Sequence, residues 1–157
     1  MATIALKGNE IHTQGELPAI GTTFVAEGLV AKDLSEVSTA AYQGKKLVLN
    51  IFPSIDTGTC AMSVRTFNEK ASQMDNTQVL CISVDLPFAM NRFCGAEGIE
   101  NITTLSAFRS SSFDFLKMVD GPLKGLTSRV VIALDENGVV THTEQVADIV
   151  DEPQYNF

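Results

Sequence analysis

Between residues 47 and 85 the hydrophobic pattern changes period twice. Leu47-Val48-Leu49-Asn50-Ile51-Phe52 is apolar at nearly every position, the pattern of a strand buried on both faces. From Cys60 onward Ala61, Val64, Phe67, Ala71 and Met74 recur at three- and four-residue steps, which predicts an amphipathic helix. Thr57 and Thr59 both suit its N-cap. Gln78-Val79-Leu80-Cys81-Ile82-Ser83-Val84-Asp85 then reads as a second continuous strand, so the three elements form a parallel βαβ unit.

The flanking segments carry shorter signals. Ile4-Ala5-Leu6 and Ile11-His12-Thr13 predict a hairpin closed by a Gly8-Asn9 turn. Residues 18–22 read as a loop, 24–29 with 32–34 as an irregular strand pair, and 38–42 as a short helical piece. Pro87 can open a helix through Met90, Phe93 and Cys94, which Gly95 is expected to end. Residues 102–107 predict a strand and 113–118 a helix or loop packing aromatic rings. Arg129-Val130-Val131-Ile132-Ala133-Leu134 and Val139-Val140-Thr141-His142-Thr143-Glu144 flank Asp135-Glu136-Asn137-Gly138, a hairpin turn signal. No repeat or linker divides the chain, so residues 1–157 are expected to form one α/β domain.

Composition narrows the function classes. With 157 residues and 45% hydrophobic content the chain can bury a substantial core. A net charge of −8 argues against nucleic acid as a partner, because phosphate binding requires a basic surface. No apolar stretch reaches the roughly 18 residues of a membrane span, and residues 1–7 lack the features of a secretory signal. A soluble, cytoplasmic protein is therefore expected. Cys60, Cys81 and Cys94 are too few for a disulfide scaffold, and no CxxC offers a zinc ribbon or an adjacent redox pair. His12 and His142 have no metal-ligand spacing with the cysteines and read as exposed strand residues. No nucleotide- or phosphate-binding glycine loop is present, so neither cofactor nor metal is expected.

Cys60 is the residue whose setting changes the picture. It falls in the first turn of the predicted helix, just past a buried strand, where unpaired N–H groups and the positive end of the dipole favour thiolate over thiol. Thiolate is the nucleophilic form.

The spacing Pro53-x-x-x-Thr57-x-x-Cys60 resembles the active-site loop of peroxiredoxins. Its flanks, residues 49–57 and Cys60-Ala61-Met62-Ser63-Val64-Arg65-Thr66-Phe67-Asn68, resemble the bacterial thiol peroxidase subfamily of the atypical two-cysteine kind, with Cys94 and Arg129 at matching places. The resemblance runs from Lys7-Gly8-Asn9 to Glu152-Pro153-Gln154-Tyr155. It implies a thioredoxin-like three-layer sandwich with a central mixed sheet flanked by helices and an N-terminal β-hairpin. It further implies a thiol-dependent peroxidase that reduces hydrogen peroxide and organic hydroperoxides in antioxidant defence. Two departures stand out. Gly58 replaces the usual proline, which loosens the loop at an entropic cost. The chain also stops at Phe157, where a closing helix is usual, so apolar surface that favours association is expected.

The resemblance assigns roles to particular residues. Cys60 is the peroxidatic nucleophile, Thr57 takes a hydrogen bond from the peroxide or steadies the thiolate, and Pro53 shields the sulfur. Arg129, one of several arginines that the sequence alone does not distinguish, brings a permanently charged guanidinium to the thiolate and the peroxide oxygens. Oxidation to sulfenic acid is followed by condensation with a second thiol. Cys94 matches the resolving position, which implies a Cys60–Cys94 disulfide. Cys81, embedded in an apolar strand, reads as a core residue. Closing the bridge requires Cα atoms within ~7 Å, so both helix starts are expected to unravel. Thioredoxin is the implied reductant, landing near Phe93 and Gly95. A homodimer through the active-site face is expected, its edges ringed by Phe52, Phe88 and Phe93, while Phe88, Met90 and Phe93 offer an apolar wall for the substrate. A dithiol–disulfide oxidoreductase on the same fold and a non-enzymatic binding module are the competing readings. The wide cysteine spacing opposes the first, and joint retention of Thr57, Cys60 and Arg129 opposes the second.

Overall fold

The computed structural model of the protein describes residues 1–155. Nine strands and two α-helices are present among them: β1 (Thr3–Leu6), β2 (Asn9–His12), β3 (Leu29–Val30), β4 (Glu36–Val37), β5 (Lys46–Ile51), α1 (Gly58–Ala71), β6 (Thr77–Ser83), α2 (Pro87–Glu97), β7 (Thr103–Ser106), β8 (Val130–Leu134) and β9 (Val140–Gln145). Single 3-10 turns occupy Thr39–Tyr42 and Asp114–Leu116. β1 and β2 pair alone, and the other strands form one mixed sheet in the order β4-β3-β7-β6-β5-β8-β9. β5, β6 and β7 run parallel at its centre, with α1 and α2 as their crossovers, while β8 and β9 extend it antiparallel beside β5.

Strand alternation sorts β5 between two cores. Leu47, Leu49 and Ile51 join Leu80, Ile82, Leu105, Val130 and Ile132 on one face. Val48 and Phe52 join Val79, Cys81, Val131 and the α1 residues Cys60, Val64 and Phe67 on the other. Both α-helices cover this second face, since Ala89 and Phe93 of α2 pack there too. The first face is covered by loop and 3-10 residues, notably Phe24, Ala26, Phe113 and Leu116. Phe24, Phe113 and Phe115 form a small aromatic group there, with centroids 5.8–6.4 Å apart.

Several local expectations shift. The first hairpin turns on Lys7-Gly8 and not on Gly8-Asn9: both adopt positive φ, 50° and 83°, as a type I′ turn requires. The irregular pair is Leu29–Val30 with Glu36–Val37, because Leu34 has φ 70° and lies in the intervening turn. α2 continues through Gly95 to Glu97, and Gly98 ends it in the left-handed conformation at φ 66°, its N–H bonded to the Cys94 carbonyl. Met74 lies beyond the end of α1 although it packs against the same core. The expected loss of a closing helix concerns chain beyond Tyr155 and lies outside the described residues. Tyr155 itself packs edge-on against Phe67 at 5.1 Å. No helix among the described residues is long and apolar enough to cross a membrane.

Candidate active site

The parallel strands deliver the site. Chain leaving β5 passes through Phe52 and Pro53, both buried, and turns into α1 at the sheet's carboxyl end. Thr57 occupies the N-cap with extended backbone and its carbonyl accepts the Ala61 N–H at 2.9 Å. Its hydroxyl, unlike that of the expected capping threonine, donates to the Ser54 carbonyl at 3.0 Å. With the proton so committed, the hydroxyl oxygen retains lone pairs to accept a bond. Thr59, the other N-cap candidate, lies inside α1: its hydroxyl donates to the Val150 carbonyl at 2.9 Å and ties α1 to the 148–150 segment.

Cys60 lies in the first turn of α1, completely buried and not joined to another cysteine. Arg129, directly before β8, is itself 1% exposed and brings Nη2 to 3.2 Å from the Cys60 Sγ. Nε and Nη2 also donate to the Ile149 carbonyl at 3.1 and 2.9 Å, which fixes the plane of the guanidinium. Its Nη1 is buried with no hydrogen-bond partner among the described residues. A buried, unspent donor of a permanent cation is costly unless something occupies it, so Nη1 is poised for an oxygen delivered from outside. Asn50 Oδ1 and Asp114 Oδ1 also have no hydrogen-bond partner among the described residues, but Asp114 Oδ1 is paired with the Lys117 ammonium and Asn50 lies deep in the sheet beside Ser63 and Cys81.

The N-terminal hairpin supports this arrangement from a distance. Lys7 and Gly8 donate their backbone N–H groups to the Asp148 carboxylate, both at 3.0 Å, and Ile149 N–H donates to the Ala5 carbonyl. Backbone N–H bonds from Gly8, Val150 and Lys7 hold the Asp148 carboxyl below its usual range. The chain of contacts therefore runs from hairpin to Asp148, to the Ile149 carbonyl, to Arg129 and to Cys60. Nothing in the hydrophobic pattern marks residues 148–150 as part of a site, and their role is visible only in these contacts.

A pocket of about 650 Å³ opens over the site, with Pro53, Thr57, Gly58 and Arg129 in its lining. Its apolar wall is Leu6, Ile11, Pro122, Leu123, Ile149 and Val150. Phe88, Met90 and Phe93 do not contribute to this wall, because all three belong to α2: Phe88 is 63% exposed and Met90 is buried in the core. Gly58 is the first helical residue and has ordinary negative-φ geometry, and a Cβ there would meet nothing within 4 Å. Proline suits that position because its missing N–H is unpaired there anyway, so glycine costs loop entropy without relieving a clash.

The other two thiols sit elsewhere. Cys94 occupies the last turn of α2, half-buried in a hollow lined by Lys32, Asn91, Ile99 and Thr104, and shares no lining residue with the pocket above Arg129. Burial pushes its thiol up despite a bond with Thr104 and the nearby Lys32 ammonium. Because Cys94 sits at the end and not the start of its helix, the C-terminal turn of α2 is what would have to open. Cys81 is fully buried inside β6 against Asn50 Nδ2 at 3.6 Å, and burial pushes its thiol up to about 12. His12 spends both ring nitrogens on Asp120 and Glu10, at 2.7 and 2.9 Å, and neither histidine lines the pocket. Among the described residues no cluster of three or more histidine, cysteine or acidic side chains could hold a metal ion.

Residues 13–156 match the Redoxin family model. The chain belongs to the Redoxin family. It is 54% identical over 158 residues to a thiol peroxidase of Corynebacterium glutamicum, covering 99% of this chain and 96% of that protein. A peroxiredoxin-like protein from Aquifex aeolicus superposes with a TM-score of 0.91 at 34% identity, over 98% of this chain and 91% of the other. A thiol peroxidase from Chromobacterium violaceum shares the fold with a TM-score of 0.87 at 21% identity, over 96% and 89% of the two chains. The fold is the thioredoxin-like peroxiredoxin sandwich, and the protein is a bacterial thiol peroxidase, an enzyme that reduces peroxides with thiols.

Proposed function

We propose that this redoxin runs an atypical two-cysteine cycle within one domain, residues 1–157, with Cys60 as peroxidatic and Cys94 as resolving thiol. The contact between Arg129 Nη2 and the Cys60 Sγ carries the reading, because it sets a buried cation against the one thiol in a helix's first turn. The thiolate attacks one peroxide oxygen: an S–O bond forms, the O–O bond breaks, and the leaving hydroxide or alkoxide takes a proton from solvent. Arg129 Nη1 meets the charge developing on the leaving oxygen, Thr57 accepts from the peroxide hydrogen, and Pro53 keeps water from the sulfur. The apolar wall favours organic hydroperoxides besides hydrogen peroxide.

Cys94 then attacks the Cys60 sulfur, forming S–S as the sulfenic hydroxyl leaves as water with the Cys94 proton. Cys60 is buried against Arg129 whereas Cys94 lines a separate hollow, so the first turn of α1 and the last turn of α2 open for this step. Opening also removes the burial that pushes the Cys94 thiol up. Thioredoxin supplies two electrons to reduce the disulfide, which implies the cytoplasm, where thiols are kept reduced. Cys94→Ser is expected to allow one rapid oxidation of Cys60 but no recycling by thioredoxin, whereas Cys81→Ser does neither harm. Mass spectrometry after peroxide treatment should show a Cys60–Cys94 bridge in the wild type, and a dominant Cys60–Cys81 bridge would overturn the assignment.

We further propose a homodimer through the active-site face. Leu86, Phe88 and Phe108 stand 50%, 63% and 42% exposed at the sheet's carboxyl end, where α1 and α2 begin. Phe52 takes no part in this rim, because it is fully buried beneath α1. An interface of about 800 Å² per partner is of standard size. Sedimentation at micromolar concentration is expected to give a dimer, and a monomer in both redox states would refute it.

A further inference from the structure

The bonds that hold the Cys60 loop converge on a carboxylate that does not line the pocket. Asp85 follows β6 and stands two residues before Pro87, where α2 begins. Its Oδ2 accepts the Ile55 N–H at 2.6 Å and its Oδ1 accepts the Ser54 hydroxyl at 2.7 Å. Ser83 donates its hydroxyl to the same carboxylate, and Ser106 Oγ donates to the Asp85 carbonyl, so the sheet fixes the aspartate from below. The Ser54 carbonyl in turn receives both the Thr57 hydroxyl and the Thr57 N–H. One carboxylate thus fastens the loop that positions Thr57 and Cys60 to the base of the helix that carries Cys94.

We propose that Asp85 is a positioning residue whose grip on Ser54 and Ile55 holds the Cys60 loop for peroxide attack and, by the same bonds, restrains disulfide closure. The proposal rests on the two-cysteine reading above. Charge-assisted bonds to an ionised carboxylate are about twice as strong as neutral ones. While Ile55 and Ser54 remain bound, the chain that enters α1 is held at its start, which resists opening of the turn that carries Cys60. A second strap, the Arg92–Asp56 pair at 2.9 Å, spans the same gap but is exposed at both ends and contributes little.

The test separates the two chemical steps. Asp85→Asn keeps the shape but can turn an amide donor toward the Ile55 N–H or the Ser54 hydroxyl. Stopped-flow measurement of Cys60 oxidation should show attack on hydrogen peroxide slowed by about tenfold, the scale of one charge-assisted bond lost. Disulfide formation from the sulfenic state should instead accelerate, by a comparable factor of about ten. The Cys60 sulfinic fraction at high peroxide should accordingly fall. Ser54→Ala, which removes one bond and leaves the aspartate, should shift both rates in the same directions by less, and it serves if Asp85→Asn does not fold. A purely structural aspartate would lower thermal stability without moving the two rates oppositely. If both variants slow the two steps together, or change neither, the proposal is wrong. Absence of a Cys60–Cys94 bridge in the wild type would overturn the resolving role of Cys94 and this proposal with it. A normal bridge with unchanged rates in the variants would overturn the Asp85 role alone.

Discussion

Cys60→Ser is expected to abolish peroxide reduction while leaving the protein folded. The substitution changes one buried atom, and a hydroxyl can still accept the Arg129 N–H that now reaches the sulfur at 3.2 Å. What is lost is the nucleophile: an alcohol is not ionised near neutral pH and is a far weaker attacker of an O–O bond than a thiolate. Neither Cys81, which is buried with its thiol pushed up to about 12, nor Cys94, which lacks a nearby guanidinium in its hollow, can replace it. Loss of activity on the order of 10⁴-fold or more is expected, the range met when a covalent catalyst loses its nucleophile. Steady-state turnover with hydroperoxide, thioredoxin and thioredoxin reductase, alongside circular dichroism, makes the measurement. Normal turnover in a folded Cys60→Ser protein would sink the mechanism.

Arg129→Ala should be the next most damaging change. The side chain is buried and makes three bonds, one to the Cys60 sulfur and two to the Ile149 carbonyl, while its Nη1 remains unspent. Removing it takes away a preorganised donor to the leaving oxygen, an effect of about 10²–10³-fold in similar oxyanion sites. It also strips the Ile149 carbonyl of its donors, which costs about 1–3 kcal/mol of stability. The rate of Cys60 oxidation by stopped flow and the thermal unfolding midpoint would report the two effects separately. Arg129→Lys keeps the charge but not the planar fork that serves sulfur, carbonyl and substrate at once, so it should recover only part of the rate. An oxidation rate unchanged in Arg129→Ala would place the stabilisation of the leaving oxygen in other groups.

Local pattern was enough for the skeleton of this molecule and for the position of Cys60, the thiol proposed as its nucleophile. The β5–α1–β6 unit was legible because buried parallel strands and an amphipathic helix have different hydrophobic periods, and each depends only on neighbours along the chain. Cys60 was legible for the same reason, since a helix's first turn is recognisable from the change of period. Boundaries that depend on a single backbone angle were less so. Gly95 and Gly98 offer equal freedom, and only the bond from Gly98 to the Cys94 carbonyl decides which one ends α2. Lys7 and Leu34 adopt positive φ in turns although neither residue type advertises it.

The parts of the site that come from distant chain were decided by packing. Among several arginines, periodicity gave no reason to choose Arg129, and its place was known only through family resemblance. Its effect comes from burial beside Cys60 and from the Ile149 carbonyl that aims it. That carbonyl is held by the Ala5 strand and by Asp148, whose carboxylate receives the turn of Lys7 and Gly8 from the far end of the chain. The Asp85 grip on the Cys60 loop is of the same kind, joining the end of one strand to the end of the next. Helix and strand periods report which face of an element is buried, whereas a hydrogen bond between separate elements depends on register and approach, which arise only when the sheet has assembled.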